Sequence, residues 1–187
     1  MATKADIVQK YAVAPAAKRV EIICKNYQNF EGIIEGKIAA MSFVITEEKA
    51  YYRKQEHGDL GVRVQSSGHY DDITANTAIN ELSIKKAIME CDFSDGILEG
   101  TDHEEDFIYD ACTLMKMRRE YKLFKSQMAY LNEKERQLFT TFLSKKKTID
   151  DLAEELGVQY HSVVRRMNKL KQVVKAETIK AIEMGRK

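Results

Sequence analysis

Between Gln159 and Lys175 the chain carries Arg165, Arg166, Lys169, Lys171 and Lys175, and no acid. Just before this block, Thr148–Leu156 carries Asp150, Asp151, Glu154 and Glu155, and no base. The sign changes across Gly157-Val158. A segment of one charge sign suits contact with a polyanion, because each neutralised phosphate releases counterions whatever the base sequence. Arginine pairs bidentately with guanine and glutamine with adenine. Gln159 and Arg165 bring both types to the start of the block.

Other candidate chemistry fails on spacing. "HEED" at His103–Asp106 lacks the second histidine that HExxH places on the same helix face. An acidic helix start accounts for it instead. Asp92, Asp95 and Asp102 miss the spacing of a calcium loop. His57, His69, His103 and His161 are scattered, so no nucleophile with a nearby base can be argued. Cys24, Cys91 and Cys112 are odd in number and form no CxxC. Reduced thiols are expected of them, rather than a disulfide framework or a zinc site. The expectation is a binding protein and not an enzyme, with no catalytic residue, no metal and no cofactor. The stretch "HGDLGVRVQSSGHYDD" at 57–72 could offer glycine amides, Arg63, Ser66 and Ser67 to a phosphate. It matches no phosphate-loop motif, and a plain connection is the simpler expectation.

The elements that must position the basic block can be read from pattern. Of 187 residues, 44% are hydrophobic and 32% charged, with a formal net charge of +1, so the chain can bury a core. One proline and nine glycines leave long helices unobstructed, and an all-α fold is expected. The small net charge hides segregation: eight acids and no base lie between Cys91 and Thr113. No signal pattern opens the chain, and "GIIEGKIAAMSFVI" is too short and too charged to span a bilayer. The expected setting is the cytoplasm of a bacterial or phage-infected cell, without membrane contact.

Residues 16–50 read as one or two helices, with Val20, Ile23, Cys24 and Tyr27 and then Ile34, Ile38, Met41 and Ile45 at helical spacing. Thr74 could cap a helix to about Cys91, with Ile79, Leu82, Lys86 and Met89 loosely periodic. Phe107, Leu114, Met117, Tyr121, Phe124, Met128 and Leu131 follow a heptad-like stripe. That long amphipathic helix either packs on its own chain or pairs with a second subunit, and the spacing does not separate the two. Asn132 caps the next helix, with Leu138, Phe139, Phe142 and Leu143 on its apolar face. Ser144–Lys147 connects it to a further helix capped by Thr148, with Ile149, Leu152, Ala153 and Leu156 on one side. Gly157 turns the chain, and Val158 is expected to plug the corner. Val163, Met167, Leu170 and Val174 face inward from the last helix. The division expected is a helical oligomerisation or partner-binding region over 1–130 and a helix-turn-helix domain over 131–187.

"LNEKERQLF…TIDDLAEELGVQYHSVVRRMNKLK" resembles the DNA-binding region 4 of sigma-70-type factors. Leu131, Glu135, Arg136, the Leu-Gly-Val turn, Ser162-Val163, Arg165, Arg166 and Leu170 carry the likeness, which covers roughly residues 131–174. No segment resembles the strand-opening region of such factors, and Trp is absent. The size, the "GDLGVRVQSSG" stretch and the C-terminal motif together resemble small phage regulators of Gram-positive bacteria, the ArpU/RinA-type late-operon activators. The resemblance implies a sequence-specific transcriptional regulator of phage or prophage origin that binds double-stranded DNA. In such a motif the second helix enters the major groove. Gln159, Tyr160, His161, Val164 and Arg165 would then face base edges. Lys146, Lys147, Thr148, Ser162, Arg166, Asn168 and Lys169 would meet phosphates, which position without specifying. RNA polymerase and a second copy of the chain are further partners to expect. Two other readings stay open: a DNA-packaging component like a small terminase subunit, and an interaction protein that keeps the fold without binding DNA.

Overall fold

The computed structural model describes residues 6–57 and 73–185, with side chains over 6–52 and 79–185. The stretch 58–72, with Arg63, Ser66 and Ser67, lies outside the described residues, as does the short extended piece expected at 62–65. The described residues form an all-α fold, without a strand. In chain order the helices are α1 (Ile7–Val13), α2 (Ala16–Asn26), α3 (Phe30–His57), α4 (Ile73–Glu90), α5 (Glu104–Gln127), α6 (Glu133–Leu143), α7 (Ile149–Leu156) and α8 (Tyr160–Met184). Single 3-10 turns join α2 to α3 and α5 to α6. Among the described residues no helix is long and apolar enough to cross a membrane.

The chain divides into two compact units. Unit 1 joins residues 1–33 to 116–187, and unit 2 is residues 34–115. The linear boundary expected at 130/131 falls inside unit 1. The cause is α8, which packs on α2, α6 and α7 and so brings the two chain ends together.

Unit 1 is built on an aromatic and ionic centre. Tyr11, Tyr27, Phe30, Tyr121 and Phe124 pack ring to ring, with centroids 5.1–6.1 Å apart. The Tyr121 hydroxyl donates to the Tyr27 carbonyl at 3.0 Å. Arg19 is 1% exposed and Glu120 8% exposed. The Arg19 guanidinium donates twice to the Glu120 carboxylate, at 2.7 and 2.8 Å, and once to the Ala14 carbonyl. The Tyr11 hydroxyl donates to the same carboxylate at 2.7 Å. Burial and this carboxylate push the Tyr11 pKa well up, which holds the hydroxyl as a donor. The stripe from Leu114 to Leu131 is buried within its own chain, with Phe107 half-buried, so this face is not left over for a second subunit.

Unit 2 takes its buried apolar residues from α3 (Ile34, Ile38, Met41, Ile45), α4 (Ile84, Ala87, Ile88), the connection (Leu98) and the start of α5 (Ala111, Leu114). The inward line expected on α4 is corrected: Ile79 and Leu82 are 59% and 66% exposed. Among the residues of α4 whose side chains are described, Ile84, Ala87 and Ile88 are the buried ones. The thiol expectation is corrected as well. Cys91 and Cys112 are disulfide-bonded, with Cα atoms 5.1 Å apart, and only Cys24 is a free cysteine. The 21-residue separation conceals the pair. Cys91 ends α4 in the left-handed region (φ 52°), which brings it to α5.

Candidate nucleic-acid interface

The interface is built from α6, α7 and α8. Asn132 caps α6 by accepting from the Glu135 amide at 3.0 Å. Thr148 and Asp151 form a reciprocal capping box on α7. The Thr148 hydroxyl oxygen accepts from the Asp151 amide at 3.2 Å, and the Asp151 carboxylate accepts from the Thr148 amide at 2.8 Å. The bonds from Thr148 hold the Asp151 carboxyl below its ordinary range. The N-terminus of α7 is therefore filled, and filled with negative charge.

Gly157 takes φ 62°, ψ 32°. Its amide donates to the Glu154 carbonyl at 3.1 Å, and the Val158 amide to the Ala153 carbonyl at 3.0 Å. These two bonds close α7 as a Schellman turn. An added Cβ would meet nothing within 4 Å, so it is the left-handed backbone that asks for glycine here. One expectation fails at this corner. Val158 does not plug it: Val158 is 45% exposed and Leu156 40%. Leu152 alone of α7 is buried, and the two exposed side chains flank the turn instead.

α8 divides by face. Val163, Met167, Leu170 and Val174 are buried as expected, and Thr178 and Ile182 continue the line. Gln159, Tyr160, His161, Ser162, Arg165, Arg166, Asn168 and Lys169 are exposed, and Val164 is half-buried. Gln159 gives α8 no side-chain cap, and no acid sits in its first turn. The first amides of α8 are thus open along the axis, where the helix dipole favours an anion. The two adjacent helix N-termini contrast: α7 is neutralised by its own aspartates, and α8 is left positive.

The expected phosphate contacts lie on two segments, the entry to α7 and α8. Lys146, Lys147 and Thr148 are exposed at the entry to α7. Lys147 pairs with Glu155 at 2.6 Å. Thr148 gives its hydroxyl oxygen to the cap. Arg166 lies on the α7 side of α8, in a shallow cleft lined also by Lys134, Gln137, Lys147 and Glu155. Lys134 and Gln137 of α6 were not foreseen. Lys134 stands between Glu133 and Glu135, so its stretch reads as a mixed-charge solvated face. Its approach to Arg166 is a tertiary fact.

Among the described residues no group of three or more His, Cys, Asp or Glu could hold a metal ion. No protein-family model, curated protein or solved structure matches the chain.

Proposed function

We propose that the chain is a sequence-specific double-stranded DNA-binding transcriptional regulator, phage or prophage encoded, that acts by binding and not by chemistry. The observation that carries this reading is the α7–Gly157–α8 turn. It presents a helix with an open N-terminus and an exposed face of Arg165, Arg166 and Lys169, free of acids. The first half of α8 would dock in the major groove. Gln159, Tyr160, His161, Val164 and Arg165 would reach base edges there. Lys146, Lys147, Thr148, Ser162, Arg166, Asn168 and Lys169 would meet backbone phosphates. RNA polymerase and a second copy of the chain are the protein partners we propose. A bacterial or phage-infected cytoplasm is the proposed setting, where the Cys91–Cys112 pair would also be met as the dithiol.

The test is affinity for a random-sequence duplex across a salt series, wild type beside Arg165→Ala/Arg166→Ala. Wild-type binding should fall steeply with salt, and the double variant should lose it. On a selected site, Arg165→Ala alone should reduce discrimination by about 1–3 kcal/mol. A folded wild type that binds no duplex at low salt would overturn the proposal and leave an interaction protein built on the same helices.

A further inference from the structure

Basic character does not stop at the first half of α8. α2 packs on α8. Glu21 of α2 accepts from Lys175 of α8 at 2.7 Å. Three residues further along α2, Cys24 is buried, and burial pushes its thiol up to about 11, opposed by the charges of Lys171 and Lys175. Lys25 follows Cys24 and is exposed. The C-terminal end of α2 therefore lies beside the part of α8 nearer to Arg165. Lys18, Lys25, Lys171 and Lys175 border this seam. Glu21 is already shared there between Lys18 at 3.1 Å and Lys175 at 2.7 Å.

We propose that the α2–α8 seam is a phosphate clamp, in which Lys25 and Lys171 grip the duplex backbone behind the base-reading end of α8. The inference rests on the DNA-binding reading and extends it to a helix from the opposite end of the chain. The dimensions suit it. Lys171 and Lys175 follow Arg165 by six and ten residues, about 9 and 15 Å of helix rise. The major groove is about 8.5 Å deep. A helix whose first turns touch base edges carries these lysines back to the level of the phosphates on the groove rim. An acidic polypeptide is the competing occupant of such a surface. The seam favours phosphate, because Lys171 and Lys175 belong to the same acid-free run of Gln159–Lys175 that holds the proposed phosphate contacts Arg166 and Lys169. The groove along Val13, Pro15 and Ile22 is bordered by the same Lys18, Glu21 and Lys25, and it is where an acidic peptide would compete.

The test uses the full chain with Lys25→Gln/Lys171→Gln, and leaves Lys175 in place because it ties α8 to Glu21. Duplex affinity is measured over a salt series beside wild type and the Arg165/Arg166 double alanine, with thermal melting to establish the fold. The clamp predicts a plot of log affinity against log salt that is shallower by about two units. Discrimination between duplex sequences should be unchanged. An unchanged slope, while the arginine variant loses binding, would overturn the clamp and spare the DNA reading. A wild type that binds no duplex would overturn both. A glutamine variant that loses binding to poly-glutamate, with its duplex slope intact, would assign the seam to an acidic protein and overturn the clamp.

Discussion

Unit 1 and unit 2 are both helical, yet they are secured differently. Unit 1 closes around a buried ion pair whose partners are 101 residues apart in sequence, and it leaves basic side chains outside. Unit 2 buries no such pair among its described residues. Its α4 contributes Ile84, Ala87 and Ile88 to the core and is then bonded to α5 through Cys91 and Cys112. Unit 2 also leaves Phe43, Tyr51, Ile79 and Leu82 more than half exposed. Unit 1 thus adds a buried ion pair to its aromatic centre, and unit 2 adds a covalent tie to its apolar core. Each mode has its own point of failure.

The largest effect should come from the buried pair. Arg19→Met keeps much of the side-chain volume but strips the Glu120 carboxylate of two donors and the Ala14 carbonyl of one. Breaking one side of a buried ion pair costs about 3–5 kcal/mol, because an uncompensated charge stays behind. Urea unfolding of Arg19→Met should show a loss of that size. A loss under about 1 kcal/mol would mean that apolar packing, and not the pair, secures unit 1. The companion Arg19→Met/Glu120→Leu should recover much of the loss, since removing both charges leaves none stranded.

Reduction should act on the other unit. The disulfide closes a loop of sequence separation 21. On the chain-entropy account, opening a loop of this length costs about 3 kcal/mol. Dithiothreitol, or Cys91→Ser/Cys112→Ser, should lower the stability of unit 2 by an amount of that order. Duplex binding should be unaffected, because every proposed contact lies in unit 1. Alkylation of the folded, oxidised protein should be slow, since Cys24 is buried and its thiol is pushed up to about 11. A loss of duplex affinity on reduction would break the separation of roles between the units.

Local signals were legible in the sequence, and long-range pairings were not. Asn132, Thr148 and Gly157 act within three or four residues of themselves, and each does in the structure what its type and position imply. The buried line of α8 follows from spacing alone. Val158 and Leu156 misled because an apolar residue at a corner reads as core, whereas exposure depends on what else approaches. Arg19 reads as one more charge on an amphipathic helix, and nothing near it points to Glu120. Cys91 and Cys112 likewise announce themselves only when α4 and α5 meet. The first α-helix and the packing of α2 on α8 belong to the same class, so the sequence showed the motif and hid its support.

The smallest effect is a titration, and it should again separate the units. In unit 2 the connection before α5 is drawn to α3 by polar contacts. His103 Nδ1 lies 2.9 Å from Glu48, the Asp102 amide donates to the same carboxylate at 3.2 Å, and the Tyr52 hydroxyl donates to Asp102. The hydrogen bond to Glu48 and its charge hold His103 above its ordinary value of 6.5. A group whose pKa is raised on folding adds stability that is complete below its unfolded pKa and is lost as pH rises through the folded one. Unit 2 should therefore weaken slightly from about pH 6.5 upward, a small effect because His103 is exposed to solvent. The shifted groups of unit 1 titrate elsewhere: the bonds from Lys175 and Lys18 pull Glu21 down to about 2, while Tyr11 and Cys24 are pushed up. Melting followed between pH 6 and 8.5 should show the decline in wild type and a flatter profile in His103→Gln. An equal decline in that variant would move the titration to another group and remove this contrast between the units.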